Sequence, residues 1–244
     1  MQNSHTFLTR SARATAIAAL ASVVTTAAYA EDNDHDWYLS LNGGASIHTD
    51  DVEFTNGTNT VETDFDTGFT FGGAVGYRWT DYNFGGFVPR TELEVSYTEN
   101  DVDTIDFSGN GAGNEVVADG SQISNVGIYG NVFFDLPNVI SNDLTPYIGG
   151  GAGINIVSHN LLYGAGGLNL NDDGDTVFAW HVTGGVNYAL SEQLSTFVDV
   201  GFRQAVDAGS VRRAGSRALT GAAGGTFEDD INSIVVRSGL SVDF

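Results

Sequence analysis

The sequence contains no cysteine and no lysine, and it has only three prolines. Without cysteine, the chain can form neither a disulfide framework nor a thiol-based active site. The scarcity of proline excludes a proline-rich linker or a collagen-like sequence, although glycine is abundant at 32 residues. Every basic side chain is an arginine, and nine arginines against 31 acids give a formal net charge of -22. We therefore expect no nucleic-acid partner.

Beyond the first thirty residues, the sequence also lacks an apolar run long enough for a transmembrane helix. Within those thirty residues, Arg10 and Arg13 precede the apolar run 14–24, and Ala28-Tyr29-Ala30 follows it. The run is about a dozen residues where a spanning helix needs ~20, so it predicts a signal peptide for the Sec pathway, cleaved after Ala30. Residues 31–244 then form one domain, a size common for a β-barrel.

The segment TPYIGGGAGINI, residues 145–156, places Gly149, Gly151 and Gly153 at every second position. A dinucleotide-binding loop needs the spacing G-x-G-x-x-G, and the sixth position counted from Gly149 is Ile154. This spacing excludes a phosphate-binding loop. The intervening positions are mostly apolar, so the segment has one small or polar face and one apolar face. This pattern indicates a β-strand between two different environments.

The same alternation recurs along the chain and predicts eight strands. An even number of strands can close into an up-and-down antiparallel barrel. The apolar faces of the predicted strands span residues 37–45, 69–79, 91–97, 126–134, 144–156, 178–188, 196–202 and 234–244.

The connections between these strands alternate between short and long. Outer-membrane barrels have short periplasmic turns and long extracellular loops, so the alternation also predicts the orientation. The short connections lie near residues 80–89, 136–143 and 190–193, and the long ones near residues 47–68, 99–121, 157–175 and 204–230.

The face opposite the apolar one decides between a water-soluble barrel and a membrane barrel. A soluble barrel of the lipocalin type hides its apolar face, which would turn the charged face outward. Ionised side chains facing lipid cost several kcal/mol each, so we expect the charged face to line the interior. Aromatic residues near both strand ends then form girdles at the membrane boundaries, although ordinary β-propensity also favours aromatics in strands. The polar face carries Ser40, Asn42, Arg78, Arg90, Glu92, Glu94, Asn131, His181, Asn187, Asp199, Arg203 and Arg237.

Counting from the short-turn end places Glu92, Glu94, Asp199 and Arg237 at similar depths in the barrel. Carboxylates and guanidinium groups offset each other's desolvation, so we predict an interior polar network. Because an eight-stranded barrel is just wide enough for its side chains, the network is expected to plug the lumen rather than conduct ions. Its predicted members are Arg78, Arg90, Glu92, Glu94, Asp199 and Arg237.

No catalytic, cofactor or metal site is predicted. His181 lies on the interior face, where we expect a structural hydrogen bond rather than a catalytic role, because Ser124 or Ser195 as its partner would be arbitrary. The acidic stretch NDDGD, residues 171–175, lacks the spacing of a calcium loop and is expected to be a solvated loop. Divalent cations bridging the acidic loops to lipopolysaccharide remain an alternative, as do phosphate contacts by loop arginines. Those arginines are Arg212, Arg213 and Arg217.

Several phrases of the sequence resemble small outer-membrane barrels. They are FGGAVGYRW (71–79), RTELEVSY (90–97), NVFFDL (131–136), TPYIGGGAGI (145–154) and the terminal LSVDF. The chain is similar to the transmembrane domain of outer membrane protein A and to opacity-type and bacterial surface-antigen proteins. The resemblance implies insertion by the barrel assembly machinery, which reads alternate apolar residues before a final aromatic. Val236, Leu240, Val242 and Phe244 match that signal, whereas Ser238 departs from it.

These observations together predict an all-β, eight-stranded antiparallel up-and-down transmembrane barrel in the bacterial outer membrane. We expect a non-enzymatic monomer in contact with membrane lipid and lipopolysaccharide. It would support envelope integrity and present surface loops to a host or surface ligand for adhesion or recognition. A narrow passive channel is the alternative, and a lipid-modifying barrel hydrolase is a further one. A conductance measurement would distinguish a channel from the structural role, and a change in the mass of lipid A on expression would identify a hydrolase.

Overall fold

A computed structural model of the chain describes residues 36–49, 52–55, 59–82, 84–109, 121–163, 168–211 and 226–244. The signal peptide predicted at residues 1–30 lies outside the described residues, as do Arg212, Arg213 and Arg217. Among the described residues, no helix is long and apolar enough to cross a membrane.

The described part of the chain is built from ten β-strands. They are β1 (Trp37–His48), β2 (Val52–Thr55), β3 (Asn59–Phe65), β4 (Gly68–Arg78), β5 (Val88–Gly109), β6 (Gln122–Asp135), β7 (Leu144–Tyr163), β8 (Leu168–Ala189), β9 (Leu194–Val211) and β10 (Thr226–Asp243).

Eight of these strands close into a barrel. The order β5-β4-β1-β10-β9-β8-β7-β6 is completed by pairing between β5 and β6, and β1 and β10 join the two ends of the chain. Neighbouring strands are antiparallel throughout this closed sheet. Closure satisfies the backbone groups of every barrel strand and leaves no edge in the wall. The predicted fold class is confirmed.

The strands extend further than the sequence pattern predicts. The connection predicted near residues 47–68 contains the β2–β3 hairpin, which pairs with the distal part of β5. The acidic stretch 171–175, predicted as a loop, belongs to β8, where Asp172 lies opposite His159. The loop predictions were wrong here because backbone pairing continues without apolar side chains, whereas the alternation ends where the lipid-facing region ends.

The faces of the barrel wall have the predicted sidedness. Glu94 and Arg237 point inward and are only 2% and 5% exposed, whereas Val236, next to Arg237, is 42% exposed. Large apolar side chains cover the outer surface of the wall, as in Leu93 and Val198. A water-soluble barrel would show the reverse arrangement.

Aromatic residues ring the outer surface near both ends of the wall. Trp37 and Trp79 are exposed at the short-turn end, and Tyr77 lies between them in edge-to-face contact with both. Phe69 and Phe178 are exposed at the opposite end, which we call the hairpin end. These two belts mark the boundaries expected of a membrane-spanning surface.

The interior changes character at the hairpin end. A buried apolar cluster fills the barrel there, and Phe65 of β3 packs against it. The ring of His48 on β1 stacks on Phe65, with centroids 4.6 Å apart. Because the strands here extend beyond the lipid-facing belt, burial of apolar groups inside stabilises them as it would in a soluble protein. The cluster, called the apolar cap below, consists of Ile123, Tyr129, Val157, Val177, Ala179, Ala205, Ala208 and Ile231.

The alternate glycines of β7 make room for the interior side chains of β6. A Cβ atom on Gly151 would lie 1.9 Å from Oδ1 of Asn131, and one on Gly149 would lie 2.6 Å from Cδ1 of Phe133. A Cβ atom on Gly153 would lie 1.9 Å from the carbonyl oxygen of Ile128. The glycine face of TPYIGGGAGINI is therefore the inner face. Glycine occupies these positions because β6 packs too closely against β7 to leave room for larger side chains.

Substituting Gly151→Ala is expected to lower the free energy of unfolding by about 1–3 kcal/mol, because the added methyl group displaces Asn131. Urea unfolding in lipid vesicles, followed by the mobility shift between folded and unfolded protein on gels, measures this loss. Gly130→Ala is the matched control, because its nearest neighbour would be the Ala152 carbonyl oxygen at 4.0 Å. Equal losses in both variants would contradict the packing explanation.

Candidate functional site

The middle of the barrel holds a bidentate ion pair between β9 and β10. The antiparallel register places Arg237 directly opposite Asp199, and both side chains point inward. Nε of Arg237 donates to Oδ1 of Asp199, and Nη2 donates to Oδ2, each at 2.9 Å. Two parallel charge-assisted bonds fix the guanidinium plane as well as its position.

Glu94 of β5 crosses the lumen to join this pair. Its Oε1 accepts from Nη1 of Arg237 at 2.9 Å and from Nη2 of Arg203 at 2.6 Å. Its Oε2 accepts from the Nδ2 amide of Asn131 at 3.0 Å. Three donors therefore compensate the desolvation of a carboxylate that is 2% exposed.

His181 of β8 is held by two hydrogen bonds in the same layer. Because Asn131 donates through Nδ2 to Glu94, its Oδ1 accepts from Nε2 of His181, at 2.9 Å. Nδ1 of His181 then accepts from the hydroxyl of Thr183, at 3.1 Å. Both ring nitrogens are thus occupied by neutral structural partners. The residues Glu94, Asn131, His181, Asp199, Arg203 and Arg237 are called the central cluster below.

A second ion-pair group lies nearer the short-turn end, around Arg90 of β5. Nε of Arg90 donates to Oδ1 of Asp135 at 2.9 Å, and Nη1 donates to the Tyr38 hydroxyl, also at 2.9 Å. Nη1 also contacts Glu92, to which the Tyr38 hydroxyl donates. Tyr38, Arg90, Glu92 and Asp135 form what we call the lower cluster.

Tyr147 connects the two clusters. Its hydroxyl donates to Oδ2 of Asp199 at 2.9 Å, and its ring lies 4.5 Å from the Arg90 guanidinium carbon. Phe133 flanks Arg90 at the same distance. A guanidinium group against aromatic faces gains cation–π attraction and is shielded from water. The polar interior is therefore continuous from the lower cluster to the central cluster.

Arg78, the remaining predicted member of the network, lies apart from the central cluster. It pairs with Asp243 at the ends of β4 and β10, and its guanidinium carbon lies 4.4 Å from the centre of the Tyr38 ring. This pair is more exposed than the others because the short-turn end opens to solvent. Arg78 therefore closes the rim and does not contact Glu94.

The structure thus divides the predicted network between two levels. Glu94, Asp199 and Arg237 meet in the central cluster, whereas Arg90 and Glu92 meet in the lower one. Glu92 and Glu94 lie two residues apart on β5. Which arginine each of them meets depends on the register of the other strands against β5, which a single strand does not show. Tyr38, Asn131, Asp135, Tyr147 and Arg203 complete the clusters without having been predicted as members; the alternation did place Asn131 and Arg203 on the inner face.

Little open space remains around these side chains. One cavity of about 20 Å³ lies among the lower cluster, Arg237 and Ser241, and another of about 20 Å³ lies between Arg203 and Ile231 of the apolar cap. Each is large enough for about one water molecule. Glu94 and Arg237 line the first cavity and Arg203 lines the second, so the ion pair of Arg203 with Glu94 lies between the two.

The carboxylates inside the barrel form ion pairs with arginines. Glu94 pairs with Arg203 and Arg237, Asp199 pairs with Arg237, and Asp135 pairs with Arg90. In the part of the chain that the structure describes, no group of three His, Cys, Asp or Glu residues could hold a metal ion. The arginines of the two clusters are therefore all paired with carboxylates.

Comparisons with known proteins place the chain among membrane barrels. Residues 16–241 match the family described as outer membrane protein beta-barrel domain. No curated protein matches the sequence. Among solved structures, Neisserial surface protein A (NspA) is 15% identical, with a TM-score of 0.45, covering 86% of this chain and 97% of that chain. The outer membrane protease OmpT from Escherichia coli is 7% identical, with a TM-score of 0.49, covering 88% of this chain and 99% of that chain.

Glu94→Gln is expected to lower the free energy of unfolding by about 3–5 kcal/mol, because it leaves Arg203 and Arg237 buried with one carboxylate fewer. Urea unfolding of the barrel in vesicles measures the change. Glu62→Gln, at an exposed position of β3, is the matched control, with an expected change within about 0.5 kcal/mol. A loss no larger than that of the control would show that the central cluster does not stabilise the fold.

Proposed function

Because the chain belongs to the outer membrane protein beta-barrel domain family and is localised to the bacterial outer membrane, we propose that it is a closed, non-conducting barrel. Its work is structural and surface-exposed. It supports envelope integrity and presents its hairpin end outside the cell for adhesion or recognition. The short-turn end then faces the periplasm, and the terminal residues Val236, Leu240, Val242 and Phe244 serve the barrel assembly machinery.

The filled lumen is the observation that carries this proposal. The central cluster occupies the barrel at mid-height, and the apolar cap fills the hairpin end above it. An ion crossing the barrel would have to part the bonds of Glu94 to Arg203 and Arg237 and then enter an apolar region. Neither barrier offers the water-lined path that a passive channel requires.

The strands of the hairpin end support a surface role. β7 and β8 remain paired beyond the outer aromatic belt, up to the pair Tyr163↔Leu168. The β2–β3 hairpin adds a further strand pair beside β5. Ordered strands cost less entropy on binding than flexible loops, so they suit recognition of a ligand. The barrel wall holds them at a fixed place above the membrane.

Purified protein in planar lipid bilayers is expected to show no discrete conductance steps, because the central cluster and the apolar cap both block the lumen. Single-channel recording at both polarities measures this. A variant lacking the central arginine, Arg237→Ala, is the comparison, since any opening should appear there first. Regular steps from the unaltered protein would favour the channel alternative, and a changed lipid A mass on expression would favour the hydrolase alternative.

Removing residues 160–171 and joining His159 to Asp172 through an Asn-Gly turn shortens the β7–β8 hairpin while keeping Val157 and Val177 of the cap. In a deletion strain, this variant is expected to restore detergent resistance as well as the full chain does, but not adherence to cultured epithelial cells. The barrel alone supports the envelope, whereas binding needs the hairpin. Adherence equal to that of the full chain would contradict the role proposed for this hairpin.

A further inference from the structure

The connection between β4 and β5, at the short-turn end, exposes unusually large apolar side chains. Trp79 is 41% exposed, Tyr82 56%, Phe84 63% and Phe87 39%. Four aromatic residues within one short turn form a patch that water solvates poorly. On a soluble surface, such a patch marks an interaction site.

The tip of this connection is a formed β-turn. Phe84 and Phe87 exchange backbone hydrogen bonds, with N–H···O distances of 3.0 and 3.3 Å. Gly85 and Gly86 between them have φ angles of 65° and 100°, which glycine adopts without strain. Directly opposite residues of an antiparallel pair share a face, so the two phenylalanine rings project together. The backbone therefore holds this aromatic pair in place.

The patch is continuous with the aromatic belt of the barrel wall. Ring contacts run from Trp37 to Tyr77 at 5.1 Å, from Tyr77 to Trp79 at 4.9 Å, and from Trp79 to Tyr82 at 6.2 Å. Nε1 of Trp79 donates to Oγ1 of Thr91, which satisfies the polar group of this ring. The aromatic belt thus continues from the barrel wall into the β4–β5 turn.

We propose that residues 79–82 and 84–87 lie in the headgroup region of the inner leaflet and bind phospholipid, rather than projecting into the periplasm. Tryptophan and tyrosine are enriched at this boundary because their rings are apolar and their N–H or O–H groups reach water. Phe84 and Phe87 carry no polar group, so they reach toward the acyl chains. The turn then anchors one side of the barrel, the β4–β5 side, in the membrane.

The short β8–β9 turn provides an internal contrast. Glu192 is exposed there, and the connection spans only residues 190–193 between Ala189 and Leu194. A carboxylate at the tip favours water over the headgroup boundary. Glu192 therefore serves as the aqueous reference position.

Because the chain has no cysteine, single thiols can be placed at both turns without other changes. Phe84→Cys and Glu192→Cys are refolded and incorporated into dioleoylphosphatidylcholine nanodiscs, which leave both membrane faces open to solution. The labelling rate with a charged, water-soluble thiol reagent is measured for each variant and divided by its rate in urea. Folding is checked by the mobility shift between unboiled and boiled samples.

The Phe84→Cys variant is expected to label about tenfold more slowly than Glu192→Cys, the ratio given by a preference of about 1.4 kcal/mol for the interface. Bimane attached to the same thiol is expected to be quenched by headgroup spin-labelled lipid, and bimane on Glu192→Cys is not. Equal labelling rates without quenching at position 84 would overturn the proposal. The turn would then be a water-exposed surface suited to a periplasmic protein.

Discussion

The neutralisation of buried arginines by buried carboxylates is the interaction on which the rest of this barrel depends. Lipid surrounds the wall, so an ionised group can lie only inside, and inside it must meet the opposite charge. Arg203 meets Glu94, Arg237 meets both Glu94 and Asp199, and Arg90 meets Asp135. The same bonds that make the charges tolerable also fill the lumen. Filling of the lumen and stability of the barrel interior therefore have one physical origin.

The sequence alone was sufficient to predict the barrel and which face of its wall is polar. Apolar and polar residues alternate along each strand, as Val95 and Glu94 do, because the two faces of a strand have different surroundings. The sequence was not sufficient for the register. Asp199 and Arg237 could be assigned to neighbouring strands. Whether Arg203 joins the central cluster depends on how far the side chain of Glu94 on β5 reaches across the lumen. Arg78 was grouped with them on parity alone, and its partner is Asp243. Strand ends were also missed, because pairing outside lipid leaves no apolar alternation to read.

The two ends of the barrel place their apolar side chains on different faces of the same strands. At the hairpin end, water surrounds the wall, and apolar residues such as Val157 and Val177 move inside. At the short-turn end, apolar rings such as Trp79 and Phe84 remain outside. A single strand therefore changes its inward chemistry along its length, as β5 does from Arg90 to Val102. The glycines of β7 leave space for the side chains of β6 that point into the barrel.

The inward orientation of the described arginines has a consequence for the outside of the molecule. All four arginines in the described ranges, Arg78, Arg90, Arg203 and Arg237, point into the barrel, whereas Glu62, Asp64, Asp101 and Asp103 are exposed on the strands of the hairpin end. The exposed carboxylates of these strands produce a negative potential that reaches about 8 Å into the medium at physiological salt. Mobile cations gather in that layer, and polyanions approaching the cell are repelled from it.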